Sequence, residues 1–251
     1  MNLFNTLLKS ILFFSTLIPA LTLADNTLLP STNRQYSIGL DFGVARPTNI
    51  ANSSTFKSGY STFSYGSNTN SIYASISGIS VNKILTIAPL YSLQAGVSFH
   101  HISSMDVNGN FEQGISPPYY QSTYSYSVNS SQYLIDAKLR RQFCNLLFPY
   151  LYLGLGIASN RAFDYSASVP DYLVVTPLYK DKTTNSFTYS VGLGVDYFVK
   201  SNVSLGVGYR FINLGKLGLG TGAIRNTTVG TKLTQSNLYI NTLLAQLNYF
   251  I

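Results

Sequence analysis

Only 10% of the 251 residues are charged, whereas about a quarter is usual in a soluble domain, and the chain is rich in tyrosine (Tyr 20) and glycine (Gly 19) with no tryptophan. Its 16 Lys and Arg residues are scattered rather than clustered, which argues against a nucleic-acid surface, and the single Cys144 excludes an intramolecular disulfide. Beyond the first residues no run of roughly 18 apolar positions exists, so a membrane-crossing helix is excluded as well.

The N-terminus has the features of an export signal. Lys9 is the only charge before Asp25, Ile11 to Ile18 form a short apolar core, and Thr22-Leu23-Ala24 supply small residues at the cleavage positions. Residues 1–24 are therefore expected to be removed, leaving one domain over 25–251 without a periplasmic module. Losing Lys9 leaves 15 basic residues against 9 acidic ones, a net charge of +6.

Period-two alternation then recurs along the chain, the mark of strands with two different faces. The first strand sets Tyr36, Ile38, Leu40, Phe42 and Val44 against Ser37, Gly39, Asp41, Gly43 and Ala45. A polar loop is expected from Thr48 to Asn70. In the second strand Ile72, Ala74 and Ile76 alternate with Tyr73, Ser75 and Ser77, and the pattern blurs toward Lys83. Pro89 falls in a turn. The third strand carries Leu93, Ala95, Val97 and Phe99 against Gln94, Gly96, Ser98 and His100, and a second long loop is expected from Ile102 to Gln132. The fourth strand pairs Tyr133, Ile135, Ala137 and Leu139 with Leu134, Asp136, Lys138 and Arg140; the fifth pairs Leu151, Leu153, Leu155 and Ile157 with Tyr150, Tyr152, Gly154, Gly156 and Ala158. After a third loop, Ser159 to Asn185, comes the clearest hairpin. Phe187, Tyr189, Val191, Leu193, Val195 and Tyr197 alternate with small or polar residues, and after Lys200-Ser201-Asn202 the pattern resumes through Val203, Leu205, Val207, Tyr209 and Phe211. A fourth loop, Lys216 to Ser236, precedes the last strand, where Leu243, Ala245, Leu247, Tyr249 and Ile251 oppose Thr242, Leu244, Gln246, Asn248 and Phe250.

Eight strands with long and short connections in alternation, one face very apolar and the other small or charged, predict an all-β, eight-stranded antiparallel up-and-down transmembrane barrel. Four long extracellular loops and short periplasmic turns are expected. A soluble sandwich has no reason to keep every second connection so long.

The segment Pro149-Tyr150-Leu151-Tyr152-Leu153-Gly154-Leu155-Gly156 resembles the fifth strand of opacity-protein-like outer-membrane β-barrels, which are similar to the barrel of outer-membrane protein A. Ser204-Leu205-Gly206-Val207-Gly208-Tyr209-Arg210-Phe211, with Asn213-Leu214-Gly215 behind it, resembles the penultimate strand of that family. Tyr249 stands two residues before the end, as in the signal read by barrel-assembly machinery, although Ile251 replaces the family's terminal Phe. The resemblance implies a Gram-negative outer-membrane location and brings no catalytic motif.

The strand phases place Asp41, Asp136, Lys138, Arg140, Asp196 and Arg210 on the inner face. Eight strands leave a lumen that side chains can fill, and an unpaired buried charge costs several kcal/mol. Pairing is therefore expected, with Arg210 against Asp196 preferred because their strands are adjacent. A fixed network implies a structural plug; a network whose pairs exchange implies a narrow porin-like channel or apolar-ligand conduit. His101-x-Ser103 resembles outer-membrane lipid hydrolases, but such a base needs an orienting acid, and Asp106 and Glu112 fall in an expected loop. No catalytic, cofactor or metal residue is assigned. The loops are rich in Tyr, Ser and Asn, a mixture suited to adaptable recognition, and Tyr119, Tyr120, Tyr124 and Tyr126 form the candidate recognition loop. These features predict an envelope-structural surface protein with an adhesion or interaction role. Its expected partners are outer-membrane lipid and lipopolysaccharide, the assembly machinery at the last strand, and a host or matrix ligand; a monomer is expected. On this reading the mature chain begins at Asp25, and intact-mass measurement of membrane-extracted protein checks it: a mass retaining Met1 to Ala24 refutes the assignment.

Overall fold

The structure, a computed structural model, describes residues 35–48, 54–58, 61–67, 73–114, 121–168, 177–224, 227–229 and 233–251. The expected leader, Ile72, Tyr119 and Tyr120 lie outside them. Eight antiparallel strands form a closed ring: β1 (Tyr36–Pro47), β2 (Ala74–Ala88), β3 (Tyr91–Gly114), β4 (Gln121–Arg141), β5 (Leu147–Ser168), β6 (Lys182–Lys200), β7 (Val203–Asn213) and β8 (Tyr239–Phe250). Each strand pairs with its neighbours in sequence, and β8 returns to β1 from Ser37↔Phe250 to Pro47↔Ile240. Closure matters because lipid offers no hydrogen bonds to an open edge. The turns at 89–90, 142–146 and 201–202 are short, and Cys144 is exposed in the second of them.

The exterior carries an apolar belt. Leu40, Phe42, Ile79, Val97, Ile135, Leu151, Leu193, Val207 and Leu243 all point outward and are exposed. Aromatic rings border it, as expected for membrane–water interfaces. Tyr36, Tyr91 and Tyr249 stand at the short-turn end. At the other end Phe99 packs on Tyr133 and Phe211 on Tyr239, with centroids 5.1 and 5.6 Å apart. Inward positions alternate with these and hold small or polar residues. Gly194 and Gly208 are needed there, because a Cβ at either would meet the Tyr150 hydroxyl.

Above the belt the strands continue and their polarity reverses. On β3, Met105, Val107 and Phe111 are buried inside while Asp106, Asn108 and Asn110 are exposed outside. On β4, Tyr124, Tyr126 and Val128 face inward between Thr123, Ser125 and Ser127. A bulge between Ile102 and Met105 marks the change on β3. This corrects the sequence reading in five places. The loop expected from Ile102 to Gln132 is mostly the upper halves of β3 and β4, and the one expected from Ser159 to Asn185 contains the ends of β5 and β6. The physical reason is that water now lies outside and an apolar core inside, so polar residues occupy the outward positions. On β2, Ala74 and Ile76 are buried inward, and the outward apolar face begins only at Ile79. The first connection is not all loop either: Ser54–Ser58 and Ser61–Ser67 form a hairpin that adds to the upper end of β3 through Thr62↔Gly114 to Ser67↔Gly109.

The fifth correction concerns the connection after β7, which folds into the barrel mouth instead of lying free. Leu214, Leu217, Leu219, Leu233 and Leu238 are each at most 2% exposed, within one cluster with Phe63, Met105, Phe111 and Tyr124. Short ladders at Leu217–Gly218 with Thr234–Gln235, and at Gly222–Ile224 with Thr227–Val229, stiffen this cap. Gly215 turns the chain into the mouth with φ 72, a left-handed conformation that glycine adopts without steric cost.

Leu193→Arg, which places a charge on the lipid face of β6, should destabilise the barrel by about 2–4 kcal/mol if it lies near mid-membrane. Urea titration in lipid vesicles, with folding followed by heat-modifiable gel migration, measures this; an unchanged midpoint would place Leu193 outside the lipid.

Candidate functional site

The lumen inside the belt is filled by side chains whose positions follow from strand parity. All six of the expected charged residues are there: Asp41 on β1, Asp136, Lys138 and Arg140 on β4, Asp196 on β6 and Arg210 on β7, each at most 8% exposed. Three carboxylates thus face three cations. The pairing differs from the expected one. Arg210 does not meet Asp196, because β7 aligns Arg210 with Gly192 and Gly206 with Asp196. That offset is four residues, about 13 Å along a strand. Arg210 instead donates to Asp41 across the lumen, Nη2 to Oδ2 at 3.3 Å, and Asp196 receives Lys138 Nζ at 3.0 and 2.8 Å from its two oxygens. Arg140 Nη1 lies 3.9 Å from Asp196 Oδ2.

Several neutral groups knit these pairs together. Gln246 on β8 donates to Asp41 Oδ1 at 2.9 Å and accepts through Oε1 from Tyr150 at 2.7 Å and Lys138 at 3.2 Å. Tyr152 donates to Asp136 at 3.2 Å. The Tyr150 ring lies 3.8 Å from Lys138 Nζ, and the Tyr152 ring 3.8 Å from the Arg210 guanidinium carbon, so each buried cation also rests on an aromatic face. His100 Nε2 lies 2.9 Å from both Asp41 Oδ2 and Arg210 Nη1. Sequence reasoning put His100, Tyr150, Tyr152 and Gln246 on the inner face without seeing their part in the network. The signal was available in parity, since they alternate in phase with the inward glycines and charges.

His101 faces outward just above the belt and bonds Ser131 Oγ through Nδ1 at 3.1 Å. Ser103 Oγ accepts from the backbone N–H of Ser75 at 3.0 Å. The spacing that suggested a histidine–serine pair thus joins His101 to the neighbouring strand. Asp106 accepts from Ser127 at 2.6 Å.

Two apolar layers bracket the network. At the short-turn end Phe148, Phe198 and Phe250 pack with centroids 4.9 Å apart for Phe148–Phe198 and Phe198–Phe250, and Arg140 stands 5.0 Å above the Phe250 ring. At the other end the aromatic chamber takes over. Tyr65 stacks on Phe111 at 5.1 Å, and Tyr179 contacts Tyr65 and Tyr165 at 6.1 and 5.0 Å. Tyr124 and Tyr126, expected in a recognition loop, belong to this interior and stack on each other at 6.3 Å. Burial pushes the Tyr179 hydroxyl up to about 12 and raises those of Tyr65 and Tyr165, so these phenols stay protonated. The cap is tied down by Asn160, a fully buried residue of β5 that the sequence reading left in a loop. Its Nδ2 donates to the carbonyls of Leu214 at 2.8 Å and Lys216 at 2.9 Å, and its Oδ1 accepts from Ser130 at 2.7 Å. Thr188 Oγ1 donates to the Asn213 carbonyl at 2.7 Å. Between floor and cap, the cavity lined by Asp41, Asn82, Gln94, Lys138, Tyr152 and Arg210 measures about 20 Å³, room for about one water molecule.

Asp196→Ala should strand Lys138 and Arg140 and cost about 3–5 kcal/mol, whereas Asp196→Ala with Lys138→Met should recover part of that loss. Urea titration of the two variants decides, and equal stability of the single variant and the parent would refute the assigned pairing.

The chain is similar to several solved structures. The chain covers 86% of itself and 97% of Neisserial surface protein A, at 15% identity and a TM-score of 0.44. For the attachment invasion locus protein Ail of Yersinia pestis the values are 87% and 99% coverage, 10% identity and a TM-score of 0.40. For the outer membrane protease OmpT of Escherichia coli they are 90% and 99%, 12% and 0.47. No curated protein matches the chain in sequence. The model of the outer membrane protein beta-barrel domain matches residues 14–249, nearly the whole chain, and the protein belongs to that outer-membrane family.

Proposed function

We propose that this protein is a closed barrel of the Gram-negative outer membrane that stiffens the envelope and works at the cell surface through its extracellular extension. The observation that carries this reading is the triple closure of the lumen: a phenylalanine floor, a neutralised polar network and an apolar cap. A pore needs a continuous wet path, and among the described residues these three layers fill the lumen one above the other. The extracellular part, by contrast, is built to stay in place. Strands β3 to β6 run 19 to 24 residues, far beyond the 9–11 that cross a bilayer. Their outer faces display Asn, Ser and Thr on a rigid sheet, which lowers the entropy lost when a partner binds.

Planar bilayers holding the intact barrel should therefore show no steady conductance, and none should appear when Lys216 to Ser236 is replaced by a short Gly/Ser turn, since floor and network remain. Cells displaying the protein should bind host cells or matrix more than cells displaying a version shortened above the belt. Stable single-channel steps, or equal adhesion by both versions, would reverse the proposal.

A further inference from the structure

We infer that the outer wall of the extracellular extension carries a binding cleft for an uncharged, hydroxyl-rich saccharide, an inference that deepens the surface role proposed above. The upper ends of β3, β4 and β5 lie side by side there. Register sets Asn108 beside Ser125 and Ser166, and Asn110 beside Thr123 and Ser168, in two rungs across three strands. All six side chains project outward; five of them are exposed and Ser125 is half-buried. Strand spacing of about 4.8 Å and a two-residue rise of about 7 Å make this grid about 7 by 10 Å, the scale of a sugar ring and its neighbour. Together with Gly109 and Tyr124 these residues line a cleft of about 380 Å³, within the 300–1,000 Å³ usual for small-ligand sites.

Local backbone features interrupt the regular sheet beside the cleft. The register of β4 against β5 shifts between Ser125 and Ser127, and Asp164 adopts φ 55 in the same part of β5. Gly109 lets the Tyr124 ring lie against the backbone, since a Cβ there would meet that ring and the Gly66 carbonyl. The Tyr124 ring itself points into the barrel core, so the sheet closes the cleft from beneath while the polar groups stand around its opening.

The chemistry of the lining selects the ligand class. The amide of Asn108 and the hydroxyls of Thr123, Ser125, Ser166 and Ser168 offer donors and acceptors in both senses, which matches vicinal hydroxyls that also donate and accept. Among the described residues no cation lines the cleft. Asp106 and Glu112 continue the same outward row of β3, and Asp164 is exposed on β5. Arg161, the outward cation on that part of β5, is held by Asp181 at 3.1 Å. A sulfated or carboxylated glycan would meet carboxylates without a compensating charge and is disfavoured.

Such a saccharide has two sources: neutral chains of host glycoconjugates, or the polysaccharide of lipopolysaccharide itself. The full-length barrel in detergent, applied to an array of neutral, sialylated and sulfated oligosaccharides beside lipid-free polysaccharide from lipopolysaccharide, separates them. Binding to neutral glycans or to that polysaccharide is expected. The double variants Asn108→Ala/Asn110→Ala and Ser125→Ala/Ser166→Ala should each weaken it at least about tenfold, corresponding to the loss of one or two hydrogen bonds. Heat-modifiable migration on gels verifies that both variants still fold. Absence of binding to both the neutral glycans and that polysaccharide, binding confined to sulfated or sialylated glycans, or affinity unchanged in both folded variants would overturn the inference. Adhesion by displaying cells that persists in those variants would overturn it while leaving the surface role standing, whereas no adhesion by the parent protein removes that role itself.

Discussion

The seam between β1 and β8 is the interaction on which the remaining structure depends. Eleven residue pairs, Ser37↔Phe250 through Pro47↔Ile240, join the first strand to the last. In hydrocarbon each open N–H or C=O would cost several kcal/mol, so this ladder is what allows the sheet to reside in lipid at all. It also creates an interior, and an interior this narrow sets its own terms. Asp41 stands on the seam strand, and its carboxylate gathers Arg210, His100 and Gln246 from β7, β3 and β8. The polar core is therefore a set of contacts that exists only in the closed ring. Removing any one charge leaves its partners buried in a medium of low dielectric, which is why three acids and three bases balance there.

The same strand can be polar inside and apolar outside, or the reverse, and the surrounding solvent decides which. β3 shows both. From Leu93 to Phe99 its apolar residues face lipid; from Met105 to Phe111 they face inward, and Asn108 and Asn110 face water. The bulge after Ile102 sits at the junction. This explains how far the fold could be read from sequence. Within the belt, alternation at Leu193, Val195, Leu205 and Val207 marked faces and strand order correctly. Above it, a run such as Tyr124-Ser125-Tyr126-Ser127-Val128 also alternates, but small polar residues in water look like loop when outward apolarity is the guide. Strand two was misphased for the same reason, since Ala74 and Ile76 belong to the water-surrounded part.

Parity identified which residues line the lumen but not which of them touch. Arg210 and Asp196 lie on neighbouring strands, yet register separates them by four positions, and side chains crossing the lumen find partners on strands distant in sequence: Lys138 reaches Asp196, and Arg210 reaches Asp41. Asn160 was invisible for another reason. Its role rests on carbonyls of a segment more than fifty residues away, and no local pattern announces that a polar side chain will hold a cap.

The position of that cap in the chain fixes a sequence of events in biogenesis. It lies between β7 and β8, and its leucines pack among Phe63, Met105, Phe111 and Tyr124, which belong to or border β3 and β4. Leu214 and Leu238 bond each other's segments at the base, the N–H of Leu214 to the Leu238 carbonyl at 2.8 Å and the N–H of Leu238 to the Gly215 carbonyl at 2.9 Å. These contacts require the last strand to be in place. Sealing of the mouth thus waits for the strands that supply these contacts. Until it happens, a leucine-rich hairpin at the unfinished end of the sheet must be shielded from water by whatever escorts the chain, and a barrel stalled before its final pairing carries its most aggregation-prone segment uncovered.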